Sequence, residues 1–266
     1  MPEITVFSAY AVAALLLVIS ARTNGEGVLA RLAPLLALLA MIAHGWLLWR
    51  AVLSLGPANL SLGNTLSLSG WMVAALVSVY VWRPNFRGLA ALFLAGAGIS
   101  VLFTGSIAAA GPVGGEPLWQ FVSHAVMATF SYSLLAVAAM LAITTSFKDR
   151  RLHQTGDAGW TSILPPLDDM ERHMFGAITI GFVLLSLAMF SGLVFVRDLM
   201  AQHLAHKTIL TALAWLIFGV LLLGRWRFGW RGRKAINWTL AGFVVLALAY
   251  FGSRLVLEVV LGRQWG

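Results

Sequence analysis

Long apolar runs separated by short polar breaks fill the chain. Eight runs stand out, at roughly 4–21, 32–54, 65–82, 88–109, 119–146, 174–195, 208–224 and 236–260. Within each run the apolar residues follow one another instead of alternating with polar ones. A run of about 20 such residues matches the hydrocarbon thickness of a bilayer. In lipid, only helices and closed barrels satisfy every backbone N–H and C=O, and continuous rather than alternating apolarity selects helices. The pattern predicts an all-α integral membrane protein with eight transmembrane helices, forming a single polytopic membrane domain over residues 1–266.

Composition strengthens that reading. The chain is 60% hydrophobic and 11% charged, where a soluble domain carries about 25% charged residues. Its formal charge of +8 sits in the short breaks, where it sets topology and meets anionic lipid headgroups. No zinc-finger, P-loop or RNA-binding pattern accompanies it, so no nucleic-acid partner is expected. The breaks after odd-numbered runs hold thirteen of the eighteen lysines and arginines, among them Arg83, Arg87, Lys148, Arg172, Arg225 and Arg231, against five on the other side. Positive charge gathers on the cytoplasmic side. Both termini are therefore expected on the outer, periplasmic side of a bacterial inner (cytoplasmic) membrane. The longest break, 147–173, is expected to be a cytoplasmic loop, with room for a short capping helix. Tryptophans and arginines in the stretch WRFGWRGRK (226–234) read as interfacial anchors. The first ten residues lack the basic start and cleavage site of a signal peptide, so the first run reads as a retained helix.

With no cysteine in the chain, disulfides, thiol redox chemistry, Cys-ligated clusters and a CxxCH haem attachment site are excluded within it. Ionisable residues inside spans are expensive and mark sites by default. His124 lies about five residues into the fifth run, roughly 8 Å below the outer rim at 1.5 Å per residue, with Met127 and Ser131 on the same face. His44 lies in the outer half of the second run, ahead of Gly45, which leaves room for close approach. Trp46 and Arg50 are four residues apart and share a face. Each histidine is open to two readings, a ligand or a ring hydrogen-bonded to a neighbour. Arg254 and Glu258 form an i,i+4 pair that neutralises itself, or leaves Arg254 to hold an anion. Of the loop histidines, His206 begins the seventh run and is a better candidate than His203; His153 and His173 carry no assigned role.

The outer half thus gathers imidazoles, arginines and aromatic rings. That set suits haem. Neutral imidazoles ligate iron, arginines such as Arg50 and Arg254 pair with propionates, and rings such as Trp46 and Trp119 pack on the porphyrin. His124 is the leading iron ligand, His44 the second and His206 the third. Zinc usually wants three or four close ligands, and a proton-coupled transporter would carry buried carboxylates, where only Glu258 qualifies.

HAVMATFSYSLLAVAAMLAITTSFKDRRL (124–152) resembles the helix of the cytochrome c assembly membrane proteins (CcsA/CcmC/HemX-like) that starts with a haem-liganding histidine. HKTILTALAWLIFGVLLLGRWRFGWRGRKAINWTLAGFVVLALAYFGSRLVLEVVLG (206–262) resembles their last two helices. With PPLDDMERHMFGAITIGFVLLSLAMFSG (165–192) between them, the likeness is greatest to the YpjD-like inner membrane branch, and it covers the chain from about residue 118 onward. The resemblance implies an eight-helix core, haem handled at the outer face and a role near cytochrome c maturation. His124 matches the first outer-face haem ligand. The tryptophan-rich segment that presents haem in the full synthases is reduced here to Lys207, Thr208 and Trp215, and two further family histidines have no counterpart. The implied function is a haem-binding or haem-passing accessory protein, partnered by haem-delivery or cytochrome c maturation proteins, without bond-making catalysis of its own. Two alternatives are a subunit of a haem-attachment system, and a transporter or accessory of metal-ion homeostasis that has lost haem.

Overall fold

The computed structural model describes residues 1–23, 27–52, 61–105, 118–156, 159–195 and 202–252, with the side chains of 118–122, 193–195, 202–206, 251 and 252 left out. All regular structure among them is helical. The α-helices are α1 (Pro2–Arg22), α2 (Val28–Val52), α3 (Leu62–Val77), α4 (Arg87–Val101), α5 (Leu118–Thr155), α6 (Leu167–Phe195), α7 (Gln202–Phe228) and α8 (Gly232–Ala247), the last continuing into a π-helical turn, Leu248–Gly252. Five apolar stretches are long enough to cross a bilayer: Pro2–Arg22, Val28–Val52, Ser123–Thr155, Leu167–Gly192 and Lys207–Phe228. The chain is thus a multi-pass helical membrane protein. It divides into two compact units, Met1–Ala110 with Arg151–Pro166, and Gly111–Arg150 with Leu167–Gly266.

In the first unit α1 packs on α2 and α4, and α3 packs on α4 and α2, closing a four-helix ring. The buried face of α2 shows how a membrane sequence chooses its inside. Its buried residues include Ala30, Ala33, Ala37, Ala40 and His44, while Leu29, Leu32, Leu35, Leu39, Ile42, Trp46 and Trp49 are exposed. Without a hydrophobic contrast between protein and lipid, small residues that allow close backbone approach define the interface. Gly98 serves the same end on α4: a side chain there would press on Tyr10 and Phe7 of α1.

Two polar layers fasten this bundle. In one, Arg87 is buried and reaches two helix ends and a turn: Nη1 donates to Ser20 Oγ at 2.8 Å, Nη2 to the Ala30 carbonyl at 3.3 Å and Nε to the Val81 carbonyl, past the end of α3, at 3.4 Å. Ala30 stands four residues before Pro34, which lies inside α2. Proline has no N–H and pushes away the carbonyl four residues earlier. The Ala30 carbonyl has therefore lost its helical donor, and Arg87 supplies one. The second layer holds Tyr10, His44, Ser67 and Thr104. At 1.5 Å per residue the layers stand roughly 15–25 Å apart along the helices.

In the second unit α6 packs on α7, and α7 on α8. Phe182 stacks on Trp215 with ring centres 5.4 Å apart, and Trp215 Nε1 donates to Ser186 Oγ at 2.8 Å. The expected loop 147–173 is mostly helix. Membrane hydropathy ends near residue 146, but α5 continues to Thr155, and α6 starts at Leu167, just past Pro165 and Pro166. Asp168 and Asp169 fall in the first turn of α6, where carboxylates favour the positive end of the helix dipole. Between the two helices in sequence, a short 3₁₀ segment, Gly159–Ile163, belongs to the first unit and contacts α1 and α4.

Several charges expected to be simple loop anchors are structural. Glu171, nearly buried, accepts from Arg225 Nη1 at 3.0 Å, Arg231 Nε at 2.8 Å and the Gly232 N–H at 3.1 Å. One carboxylate thus ties the start of α6 to the α7–α8 turn. That turn bends at Gly229 and Gly232, whose φ angles of +65° and +57° favour glycine. Trp226 and Phe228 remain exposed beside it, and the Lys234 ammonium lies 3.7 Å from the centre of the Trp230 ring, in keeping with an interfacial belt.

Candidate haem-ligand site

His124 sits in the first turns of α5, half-buried, with its ring against α6. Its Nδ1 lies 2.9 Å from Ser191 Oγ. Seven residues on, Ser131 Oγ donates to the Gly181 carbonyl at 2.8 Å, so the polar face read from the sequence is the face that α5 turns to α6. Gly192 stands beside the ring: a methyl group there would lie 3.4 Å from His124 Cε1. Among the described residues, none hydrogen-bonds Nε2 of His124. In the same unit, the Lys207 ammonium lies 5.0 Å from the centre of the Tyr250 ring, within the π-helical turn, and Tyr250 packs against Tyr132 at 5.4 Å. Single-turn π segments recur at functional sites.

His44 belongs to the first unit and is fully buried. Both ring nitrogens are engaged. Nε2 lies 2.8 Å from Ser67 Oγ, which is 2.6 Å from Thr104 Oγ1, and Nδ1 lies 3.4 Å from the Tyr10 hydroxyl. Tyr10 also meets the ring edge-on, with centres 5.8 Å apart. The flat group that approaches Gly45 is the protein's own Trp71, whose Nε1 donates to the Met41 carbonyl at 3.0 Å. Trp46 and Arg50 do share a face: the guanidinium lies 5.0 Å over the indole. Their face is exposed, opposite the one that buries His44. Trp119 and His206 lie in α5 and α7 with side chains outside the described residues, and Arg254 lies outside them altogether.

The donor set of the second unit fits an axial iron ligand: an imidazole with one nitrogen held by a neighbour and the other carrying no hydrogen bond among the described residues. Among the described residues no three histidine, aspartate or glutamate side chains converge to hold a metal ion. Sequence reasoning missed Ser191, Arg87 and Glu171. Ser191 carried the signal of a polar residue inside an apolar run; Arg87 and Glu171 stand among other polar residues and carried none.

Residues 32–261 match the model of a family described as cytochrome C assembly protein. The inner membrane protein YpjD of Escherichia coli K12 is 31% identical over 254 residues, 95% of this chain and 96% of that protein. An uncharacterized 28.8 kDa protein of Azospirillum brasilense is 28% identical over 151 residues, 56% of each chain. The cytochrome c biogenesis protein CcsA of a Synechococcus strain is 23% identical over 158 residues, 51% of this chain and 52% of that one. No solved structure matches. With the family pattern covering most of its length and a full-length relative beside it, the chain belongs to the cytochrome c assembly protein family.

Proposed function

We propose that this protein is an inner membrane haem-handling protein, accessory to cytochrome c maturation, in which His124 is the axial iron ligand. The observation that carries the reading is the ring itself: Nδ1 is held by Ser191 while Nε2 has no hydrogen-bond partner among the described residues. Membership of the family supports haem as the ligand. Bound haem supplies an iron that accepts an imidazole and carboxylates that need cationic partners. The chain's part is to hold the His124 ring against α6, to limit water there, and to present cations to the propionates. Lys207, near the Tyr250 ring, and Arg254 are the cations of the second unit assigned to that role, and His206 is the further candidate ligand. His44 is assigned the core of the first unit, because both its nitrogens are already bonded. We place eight spans in the membrane as one polytopic domain, with both termini on the outer side, on the strength of the lysine and arginine bias. Handover to a maturation partner follows from binding and requires no covalent step in this chain.

The test is an optical titration of detergent-purified protein with haemin, for wild type and His124→Ala. A Soret band with split reduced-state bands in wild type, lost or shifted in the variant, supports the reading. A wild-type spectrum no different from free haemin overturns it and favours a transporter or metal-homeostasis accessory that keeps the fold without the cofactor.

A further inference from the structure

We propose that Ser191 is the positioning residue of His124, fixing the ring proton on Nδ1 so that Nε2 keeps the lone pair that ligates; this rests on the haem reading above. The Ser191 side chain is buried and makes two hydrogen bonds. Its oxygen lies 2.9 Å from His124 Nδ1 and 2.9 Å from the Ala188 carbonyl, three residues back on α6. A hydroxyl has one hydrogen and two lone pairs, and a carbonyl can only accept. The Ser191 hydrogen is therefore directed at Ala188, and the Ser191 oxygen is left to accept. What it accepts from Nδ1 is the ring N–H. A neutral imidazole has one N–H, so the proton on Nδ1 leaves Nε2 as the basic nitrogen.

Metal-bound imidazoles are held in this way by the partner of the other nitrogen, which sets tautomer and ring angle together. Were the hydroxyl to rotate and donate to Nδ1, the proton would move to Nε2, and that nitrogen could no longer bind iron. The Ala188 carbonyl opposes the rotation. Gly192, next in sequence, lies beside the ring: a methyl group at that position would meet Cε1 at 3.4 Å, an ordinary van der Waals contact. The second unit thus supplies, from one turn of α6, an acceptor for the proton, a carbonyl that orients the acceptor, and space for the ring.

The experiment uses the full chain in detergent with ¹⁵N-labelled histidine, for wild type, Ser191→Ala, Ser191→Thr and His124→Ala. The six histidines are resolved by the signal missing in His124→Ala. In the haem-free wild type the proton is expected on Nδ1 of His124; in Ser191→Ala it redistributes towards Nε2; in Ser191→Thr, which keeps the hydroxyl, it returns. Haemin affinity is expected to fall about 10-fold in Ser191→Ala and to recover in Ser191→Thr. A wild-type ring protonated on Nε2, or a Ser191→Ala variant identical to wild type in both readouts, overturns the assignment while haemin binding that depends on His124 stands. Conversely, if wild type takes up no haemin, the haem reading falls, and the proton positions in wild type and Ser191→Ala still decide the role of Ser191.

Discussion

Pro34 and Arg87 lie far apart in the chain and are expected to be energetically coupled. Proline at position 34 removes the donor that would have closed on the Ala30 carbonyl, and Arg87 Nη2 approaches that carbonyl at 3.3 Å. Consider Arg87→Met, which keeps the length and removes the donors. The Ser20 bond, at 2.8 Å, is worth about 2 kcal/mol, as befits a charged donor, and the two longer bonds about 1 kcal/mol each. Relief from burying a guanidinium returns about 1–2 kcal/mol. The net loss is about 2–3 kcal/mol. Pro34→Ala restores an N–H to α2, so the Ala30 carbonyl no longer depends on Arg87. In that background Arg87→Met should therefore cost about 1 kcal/mol less. The assay is a double-mutant cycle on unfolding free energy, followed by circular dichroism during titration of dodecyl sulfate into mixed micelles. The cycle cancels whatever Pro34→Ala does alone. Strict additivity, within about 0.3 kcal/mol, together with a destabilised Arg87→Met, would refute the reasoning: Arg87 would then hold the bundle through Ser20 and Val81 without serving the proline.

Two further predictions concern polar groups with structural assignments. His44→Leu should lower the stability of the first unit by about 2–3 kcal/mol, because the Tyr10 hydroxyl loses its partner within a buried layer, and should leave the haemin spectrum of folded protein unchanged; loss of the Soret splitting at unaltered stability would make His44 a ligand instead. Glu171→Ala should destabilise by about 2 kcal/mol, counting only the Arg225 and Gly232 bonds because Arg231 is exposed and screened, and limited trypsin digestion should then cut first at Arg225–Arg233; an unaltered digestion pattern would argue that the α7–α8 turn holds by packing alone.

Helix positions were legible because apolar runs and helices coincide wherever lipid imposes both. They part company at the water boundary, which is why α5 runs past Phe147 through Lys148, Asp149, Arg150 and Arg151. Charged residues end a span but extend a helix readily. Which way a helix faces was less legible. Over residues 29–42 of α2 the inside is marked by size, with alanines in and the larger Leu29, Leu32, Leu35, Leu39 and Ile42 out, and not by hydrophobicity, so an apolar pattern carries little orientation. The i,i+4 relation of Trp46 and Arg50 was readable and correct, whereas the exposure of their shared face was not readable. His44 was balanced between two roles because its partners, Tyr10 and Ser67, come from other helices. His124 was visible as an intruder in an apolar stretch, but Ser191 is 67 residues away. Arg87 and Glu171 read as loop charges, because nothing local distinguishes a charge that faces water from one that three chain segments share.

The two polar layers of the first unit give its helices a register that apolar packing in lipid supplies only weakly. A greasy rod among greasy rods, surrounded by greasy solvent, gains little by stopping at one height over another. Here α1 is keyed at Tyr10 near its middle and at Ser20 near its C-terminal end. Sliding it by a single turn, about 5.4 Å, would break both keys together, and so would spinning it about its own axis. The bundle therefore behaves as a set of pinned shafts, in which thermal motion can bend a helix between its pins but cannot shift it in its socket.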